Sequence, residues 1–347
     1  PRLRKPARCS YSFCYPLIDA LLTPCYSGAT MTTHRTTIAV LGDGGWGTTL
    51  AIHLHRLGHR VRWWGAFPAY LRVVERRREN IKFLPGVPIP RTLAVVSHLA
   101  DALADARMVI LAVPSQHLRS VVRRLAPLRS QHPILVSAAK GLERGTLKRM
   151  SEVVAGELGP GRIAVLSGPN IAAEIAHARP ASSVVASRNP AVAAEVQRAL
   201  MSERLRIYTS TDVAGVELGG ALKNPIAIAA GIGDGLDLGS NAKAALITRG
   251  VVEMARLGTA MGAKEETFWG LSGLGDLVTT CLSGRNHWLG EQLGRGRALA
   301  SVLGSTPMVI EGVETSKAAV ALARRHRVEL PIIEQVYAIL FRRRSHR

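Results

Sequence analysis

Cysteine is scarce: four of 347 residues, with Cys9, Cys14 and Cys25 near the start and Cys281 alone in the body. That distribution excludes a disulfide framework and points to a reducing compartment. Histidines are scattered without ligand spacing, so no metal is expected. Aromatic residues make up only 5%. None interleaves with a basic run and no zinc-finger spacing occurs, which argues against a nucleic-acid module. No apolar stretch is long and uncharged enough to span a bilayer. Acidic residues are outnumbered, 25 against 45 Lys and Arg, giving a formal charge of +20. Part of the excess lies in terminal runs of the kind that are usually solvated, namely Arg2, Arg4, Lys5 and Arg8, then Arg342, Arg343, Arg344 and Arg347. The charge as a whole suits nucleic acid, a membrane surface or an anionic substrate.

What is present describes a folded protein. Hydrophobic content of 47% with 20% charged residues is globular, and the length admits two domains. Residues 1–35 read as an extension outside the fold. The apolar run at 17–22 is short, interrupted by Asp19 and bounded by Pro16 and Pro24, so it fails as a signal core. Met31 stands just ahead of the first strand as a natural start, which makes the preceding segment mistranslated upstream sequence or a disordered tail.

The organising stretch is Thr37-Ile38-Ala39-Val40-Leu41-Gly42-Asp43-Gly44-Gly45-Trp46-Gly47. A β-branched apolar run ends in spaced glycines and enters a helical pattern, as a dinucleotide site requires. Gly42 suits the tight turn, Gly44 lets a pyrophosphate approach, and Gly47 lets the helix pack on the strand. The helix N-terminus offers free N–H groups to phosphate. A helix from about Gly47 stops at Gly58, and a second strand follows at 60–64. Further buried strands are expected at 108–113, 134–138, 163–166 and 183–186, separated by helices near Leu118, Met150, Ala172 and Val196. The alternation implies an α/β fold, a Rossmann-like, doubly wound, mostly parallel sheet. After Val213 only helical pattern remains, at 221–232, 242–261, 288–303 and 314–326. The reading is therefore a dinucleotide-binding domain over 36–218 and an all-helical substrate domain over 219–347, with the boundary at Glu217-Leu218-Gly219-Gly220.

The second strand ends Trp63-Trp64-Gly65-Ala66, without the acid that binds ribose hydroxyls in many NAD sites. Arg62 or Arg72 either approaches a 2′-phosphate or is a solvated arginine, so NADP or dual use is modestly favoured over NAD.

Two lysines lie where chemistry is expected. Lys140 stands just past a strand's C-terminal end, and Lys223 lies among glycines directly before an apolar helix. Each is either a proton-transfer group whose pKa is lowered by burial or a snorkelling side chain. Gly273-Leu274-Gly275-Asp276 reads as a tight loop, its acid either a turn residue or an orienter of Lys223. Arg285-Asn286 suits a phosphate or is simply exposed.

Taken together, these stretches resemble the bacterial-type NAD(P)-dependent glycerol-3-phosphate dehydrogenase family. The matching motifs also include Val113-Pro114-Ser115, Lys140-Gly141-Leu142, Ser167-Gly168-Pro169, the run Asn241-Ala242-Lys243 and Glu311-Gly312, in family order from about 37 to 340. The resemblance implies interconversion of dihydroxyacetone phosphate and sn-glycerol 3-phosphate, feeding phospholipid synthesis, by a cytoplasmic homodimer. It makes Lys223 the proton donor and acceptor, with Lys140 and Asp276 as further catalytic residues. Gly168, Asn170, Asp276, Gly284, Arg285 and Asn286 would line the substrate site with both lysines. Gly42, Gly44, Gly45, Trp46, Gly47, Lys140, Ala172, Arg285, Val309 and Glu311 would contact the cofactor. Departures from the family pattern are Ala66, Ala139, Asn170, Gly284, a loop after Asp276 about two residues short, and an early stop at Phe341-Arg342-Arg343-Arg344. The alternatives are a related hydroxy-acid dehydrogenase and a non-catalytic nucleotide-sensing protein whose substrate site has decayed around Gly284.

Overall fold

The apolar run before the glycines forms the central strand of a sheet. In the computed structural model, which describes residues 35–128 and 133–342, β1 (Thr37–Leu41) has parallel neighbours on both sides. Ile38 and Val40 enter one core and Ala39 and Leu41 a second core on the opposite face, as the period of two requires. The expectations for the N-terminal extension to residue 34, its three cysteines and the arginines from 343 onward lie outside the described residues.

Next come α1 (Gly45–Arg56), β2 (Arg60–Trp64), α2 (Pro68–Arg77), a hairpin of β3 (Glu79–Asn80) and β4 (Leu84–Pro88), then β5 (Ala94–Val96) and α3 (Leu99–Leu103). They are followed by β6 (Met108–Leu111), α4 (Ser115–Leu125), β7 (Ile134–Ser137), α5 (Met150–Leu158) and β8 (Ile163–Ser167). α6 (Ala172–Ala176), β9 (Ala181–Ala186), α7 (Pro190–Leu200) and β10 (Leu205–Ser210) complete this part. The eight-stranded sheet has the order β10-β9-β8-β7-β6-β1-β2-β5. From β5 across to β8 every pair is parallel, and the strand order reverses beside β1. This is the Rossmann-like arrangement, in which ligands bind beyond the strand C-termini at the switch point.

The glycine-led helix starts at Gly45, two residues before the expected Gly47. β9 departs from the parallel pattern and runs antiparallel to β8. The five-residue α6 between them does not cross back over the sheet. It rests on α1, tied there by Thr49 Oγ1 donating to Ala172 O at 3.0 Å. β9 therefore enters from the C-terminal edge, and that keeps Gly168, Asn170 and Ser183 there.

Beyond Ser210 the described chain is helical: α8 (Val213–Gly235), α9 (Gly239–Ala260), α10 (Glu266–Trp269), a π-helical turn (Leu271–Gly275), α11 (Asp276–Leu282) and α12 (Arg285–Gly294). α13 (Leu299–Gly304), α14 (Glu311–His326) and α15 (Pro331–Phe341) follow. The single helix expected over 288–303 is two, because Gly296 takes φ +86° between them. The residues expected to mark the domain boundary, Glu217 to Gly220, lie inside α8.

α8 is buried on every face from Gly215 to Ile228, which identifies it as the core element of the helical part. Asp212 caps its start by accepting from Gly215 N at 2.9 Å. Glu217 docks α8 on the N-terminus of α5, accepting from Arg149 Nη1 (2.8 Å), Ser151 N (2.7 Å) and Ser151 Oγ (2.6 Å). Both partners of the ion pair are buried. Glu217→Ala therefore removes the buried partner of Arg149, which keeps as counter-charge only the exposed carboxylate of Glu152 at 2.7 Å, and leaves the Ser151 donors unpaired. We expect a loss of about 1–3 kcal/mol. Urea unfolding reads this directly, and a midpoint equal to the parent's would contradict the docking role.

Candidate active site

The glycine turn is held open from outside. Gly42 takes φ +134°, and any side chain there would collide with the carbonyl of Ala112. A Cβ on Gly47 would collide with Gly42 O, so the helix can approach the strand only with glycine at that point. A Cβ built on Gly44 would meet nothing within 4 Å. α1 has no side-chain cap and no acid in its first turn, so its first N–H groups remain free for an anion. Trp63 Nε1 donates to Gly42 O and Asn80 Nδ2 to Asp43 O, each at 2.8 Å, fixing the turn. Trp46 Nε1 is buried with no hydrogen-bond partner among the described residues. A free amide cradle and an unused indole donor fit a dinucleotide.

Next to this edge the two lysines meet on one carboxylate. Asp276 Oδ2 stands 2.7 Å from Lys140 Nζ and Oδ1 2.8 Å from Lys223 Nζ. Lys140 follows β7 and also donates to Gly168 O, beyond β8, at 2.7 Å. Lys223 projects from α8 and donates to Thr280 Oγ1 at 2.5 Å, while that hydroxyl donates to Asp276 O at 2.7 Å. Gly220, one turn before Lys223, has no room for a side chain, because Ser167 Oγ fills its Cβ position. The close approach brings α8 against the strand ends.

Burial lowers the Lys140 pKa to about 8. Asp276 opposes the shift, and the charges of Lys223 and Arg285 reinforce it. Asp276 opens α11 after the π-helical turn, in which Gly275 N reaches back to Gly270 O at 3.1 Å. The expected tight loop is thus a wide helical turn. That irregularity, common at functional sites, sets the carboxylate at a helix start.

A second chain of contacts extends the cluster. Asn224 Nδ2 donates to Lys140 O at 3.1 Å and Asn286 Nδ2 to Asn224 Oδ1 at 2.8 Å. Asn286 Oδ1 in turn accepts from Gly312 N at 2.9 Å. Arg285 donates to Val309 O at 2.9 Å. Glu311 accepts from Ser115 N at 2.9 Å and from Ser115 Oγ at 2.5 Å, and burial raises its pKa. Asp234 pairs with Lys243 (2.7 Å) and His287 (2.6 Å), anchoring the turn of α12 that carries Arg285 and Asn286.

Among the expected residues, Lys140, Lys223, Asp276 and Gly168 are joined directly. Asn286 follows through Asn224, and Glu311 leads on to Ser115. Asn170 donates to Ser183 Oγ and leaves its own Oδ1 buried and without a partner among the described residues, as are Ser137 Oγ and Ser167 Oγ at neighbouring strand ends. Ala172 is held by Thr49. Gly284 is exposed at φ +107°, a backbone state that favours glycine at the position of the family serine. Sequence reasoning passed over Thr280. Its spacing of four residues from Asp276 was the available signal, once a helix rather than a loop is read there.

Fold and site together define a two-domain dehydrogenase of the dinucleotide-binding kind. Residues 37–193 match the family description "NAD-dependent glycerol-3-phosphate dehydrogenase N-terminus", and residues 212–347 match the corresponding C-terminus. The chain belongs to this family. It is 50% identical over 319 residues to glycerol-3-phosphate dehydrogenase [NAD(P)+] of Syntrophotalea carbinolica, covering 89% of this chain and 95% of that one. It is 47% identical over 309 residues to the Chlorobium luteolum enzyme of the same name, covering 88% and 93%. The crystal structure of glycerol-3-phosphate dehydrogenase from Coxiella burnetii superposes with a TM-score of 0.87 at 39% identity, over 90% of this chain and 96% of that one.

Proposed function

We propose that this chain interconverts dihydroxyacetone phosphate and sn-glycerol 3-phosphate, using NAD(P), and so supplies the glycerol backbone of phospholipids. The observation that carries the reading is the single buried carboxylate of Asp276 holding both lysine ammonium groups. The family likeness extends it to a cytoplasmic homodimer. Among the described residues no helix is long and apolar enough to cross a membrane.

A carbonyl becoming an alkoxide needs a proton donor at its oxygen and cations for the phosphate. Lys223 Nζ, oriented by Asp276 and Thr280, is the proton donor, and in the reverse direction the acceptor. Lys140, bound to Asp276 and Gly168 O, fixes the substrate's reacting end. Arg285 and Asn286, at the start of α12, hold the phosphate with the helix N-terminus behind them. Gly42, Gly44, Gly45, Trp46 and Gly47 hold the pyrophosphate side of the cofactor, with Ala172, Val309 and Glu311 further along it. Bound there, NAD(P)H supplies the hydride to the carbonyl carbon.

Product analysis tests the reading. Incubated with a panel of phosphorylated ketones and 2-keto acids plus reduced nucleotide, the protein should convert dihydroxyacetone phosphate to sn-glycerol 3-phosphate in preference to the others. Preference for a keto acid would replace this reading by the hydroxy-acid dehydrogenase. The pH profile gives a second check. Lys140 loses its proton as pH rises through about 8, and a neutral amine holds an anionic substrate less well. kcat/KM should therefore fall above about pH 8; a flat profile on through the ordinary lysine range would contradict a cationic role for Lys140.

A further inference from the structure

NAD-preferring Rossmann sites hold the adenosine ribose hydroxyls with an acid about 20 residues beyond the first glycines, at the tip of the second strand. Here that tip is Trp64-Gly65-Ala66 and contributes no acid. A carboxylate nevertheless occupies the place, delivered from the neighbouring turn. A Cβ built on Gly65 would lie 2.5 Å from Asp43 Cβ and 2.6 Å from Asp43 Oδ2. The Asp43 side chain thus fills the volume in which a side chain at position 65 would begin, and glycine is required there for space.

The backbone that carries the carboxylate is fixed in position. Gly42 N donates to Trp64 O at 2.8 Å, joining the turn to the strand tip, and Asn80 Nδ2 pins Asp43 O at 2.8 Å. Asn80 is itself held by Tyr70, whose hydroxyl donates to Asn80 Oδ1 at 2.7 Å. Asp43 is only 9% exposed, and its Oδ2 is buried without a hydrogen-bond partner among the described residues. A buried acceptor left unused is costly, and a ligand donor would relieve it. Burial raises the Asp43 pKa, against its backbone hydrogen bonds and the charge of Lys82.

Of the two arginines that the strand tip first suggested for a 2′-phosphate, Arg72 is exposed on α2 and Arg62 is engaged elsewhere. It donates to Ala104 O, at the end of α3 where the chain turns into β6, at the sheet's opposite edge. Lys82 is exposed and stacks over Phe83 at 5.0 Å from the ring centroid. Water screens an exposed ammonium, whereas the charge of a buried carboxylate acts at close range.

We propose that Asp43 replaces the strand-tip acid, with Oδ2 accepting hydrogen bonds from the adenosine ribose hydroxyls, and that it selects NAD(H) over NADP(H). The inference rests on the glycine turn being the dinucleotide site. It reverses the preference drawn from the strand tip alone, because the acid comes from a position 22 residues earlier in the chain, 65 against 43.

Direct binding to the full chain without substrate tests it, read by tryptophan quenching with NADH and NADPH titrated separately. The parent should bind NADH about tenfold to hundredfold more tightly than NADPH, the range expected for a hydrogen bond to a charged group. Asp43→Ser should lose most of that ratio, chiefly by gaining NADPH affinity. A parent that binds both equally, or a variant that keeps the parental ratio, overturns the assignment. A folded parent that binds neither overturns the dinucleotide reading itself. Should the variant fold poorly, displacement of NADH from the parent decides. ADP-ribose should compete better than its 2′-phosphorylated form, and the opposite order refutes the role of Asp43.

Discussion

Lys223→Ala should lower kcat by about 10²–10⁴-fold, the usual contribution of a positioned proton donor, while nucleotide affinity stays at the parental value. The separation follows from the structure. Lys223 Nζ on α8 binds Asp276 and Thr280 on α11, whereas the pyrophosphate cradle lies at the start of α1 and is fixed by Trp63 and Asn80. Removing the ammonium leaves that cradle untouched. Steady-state kinetics and a nucleotide titration on the same preparation read the two effects. Parental kcat would remove Lys223 from the chemistry, and loss of both properties together would indicate a folding defect.

Asp276→Asn should have the second-largest effect, on both stability and turnover. The carboxylate is 2% exposed and is shared by two ammonium groups. Its neutral isostere leaves the buried Lys223 and the part-buried Lys140 without their shared counter-charge, a loss of about 3–5 kcal/mol by analogy with broken buried pairs. The charge of Asp276 raises the Lys140 pKa. Without it, the falling limb of kcat/KM should move below the parental value of about 8. Thermal melting and a pH profile check the two halves. An Asn variant with parental melting and an unmoved limb would show that Asp276 does not govern the lysines.

The parts of this molecule legible in its sequence are those in which neighbouring residues carry the signal. The strand, glycine turn and helix at 37–56 were readable because the period of two gives way to glycines and then to a helical pattern within a few residues. β2 was readable at its observed limits for the same reason. The hairpin of β3 and β4 was not, since Pro85 and Pro88 interrupt a five-residue strand whose partner has only two. β5 has three residues, too short for any periodicity. α2 carries three arginines and a glutamate and buries only Leu71 and Val74, so its pattern is that of a surface segment.

At the site, Lys140, Lys223 and Asp276 were each ambiguous alone, and only their joint order along the chain, seen as a family resemblance, picked them out. Their contacts could not be read, because Lys223 meets Thr280 across 57 residues and Glu217 meets Arg149 across 68. The strand-tip acid shows the same limit. Local reading looks for it at 65–66, and only the fold brings Asp43 to that place.

The central claim is the reaction itself, and nicotinamide absorbance tests it most directly. Purified protein is mixed with dihydroxyacetone phosphate and reduced nucleotide, with Lys223→Ala run in parallel. The account predicts a steady loss of absorbance with the parent and almost none with the variant. Folded parent protein that binds the nucleotide but leaves its absorbance unchanged in the presence of dihydroxyacetone phosphate would contradict it.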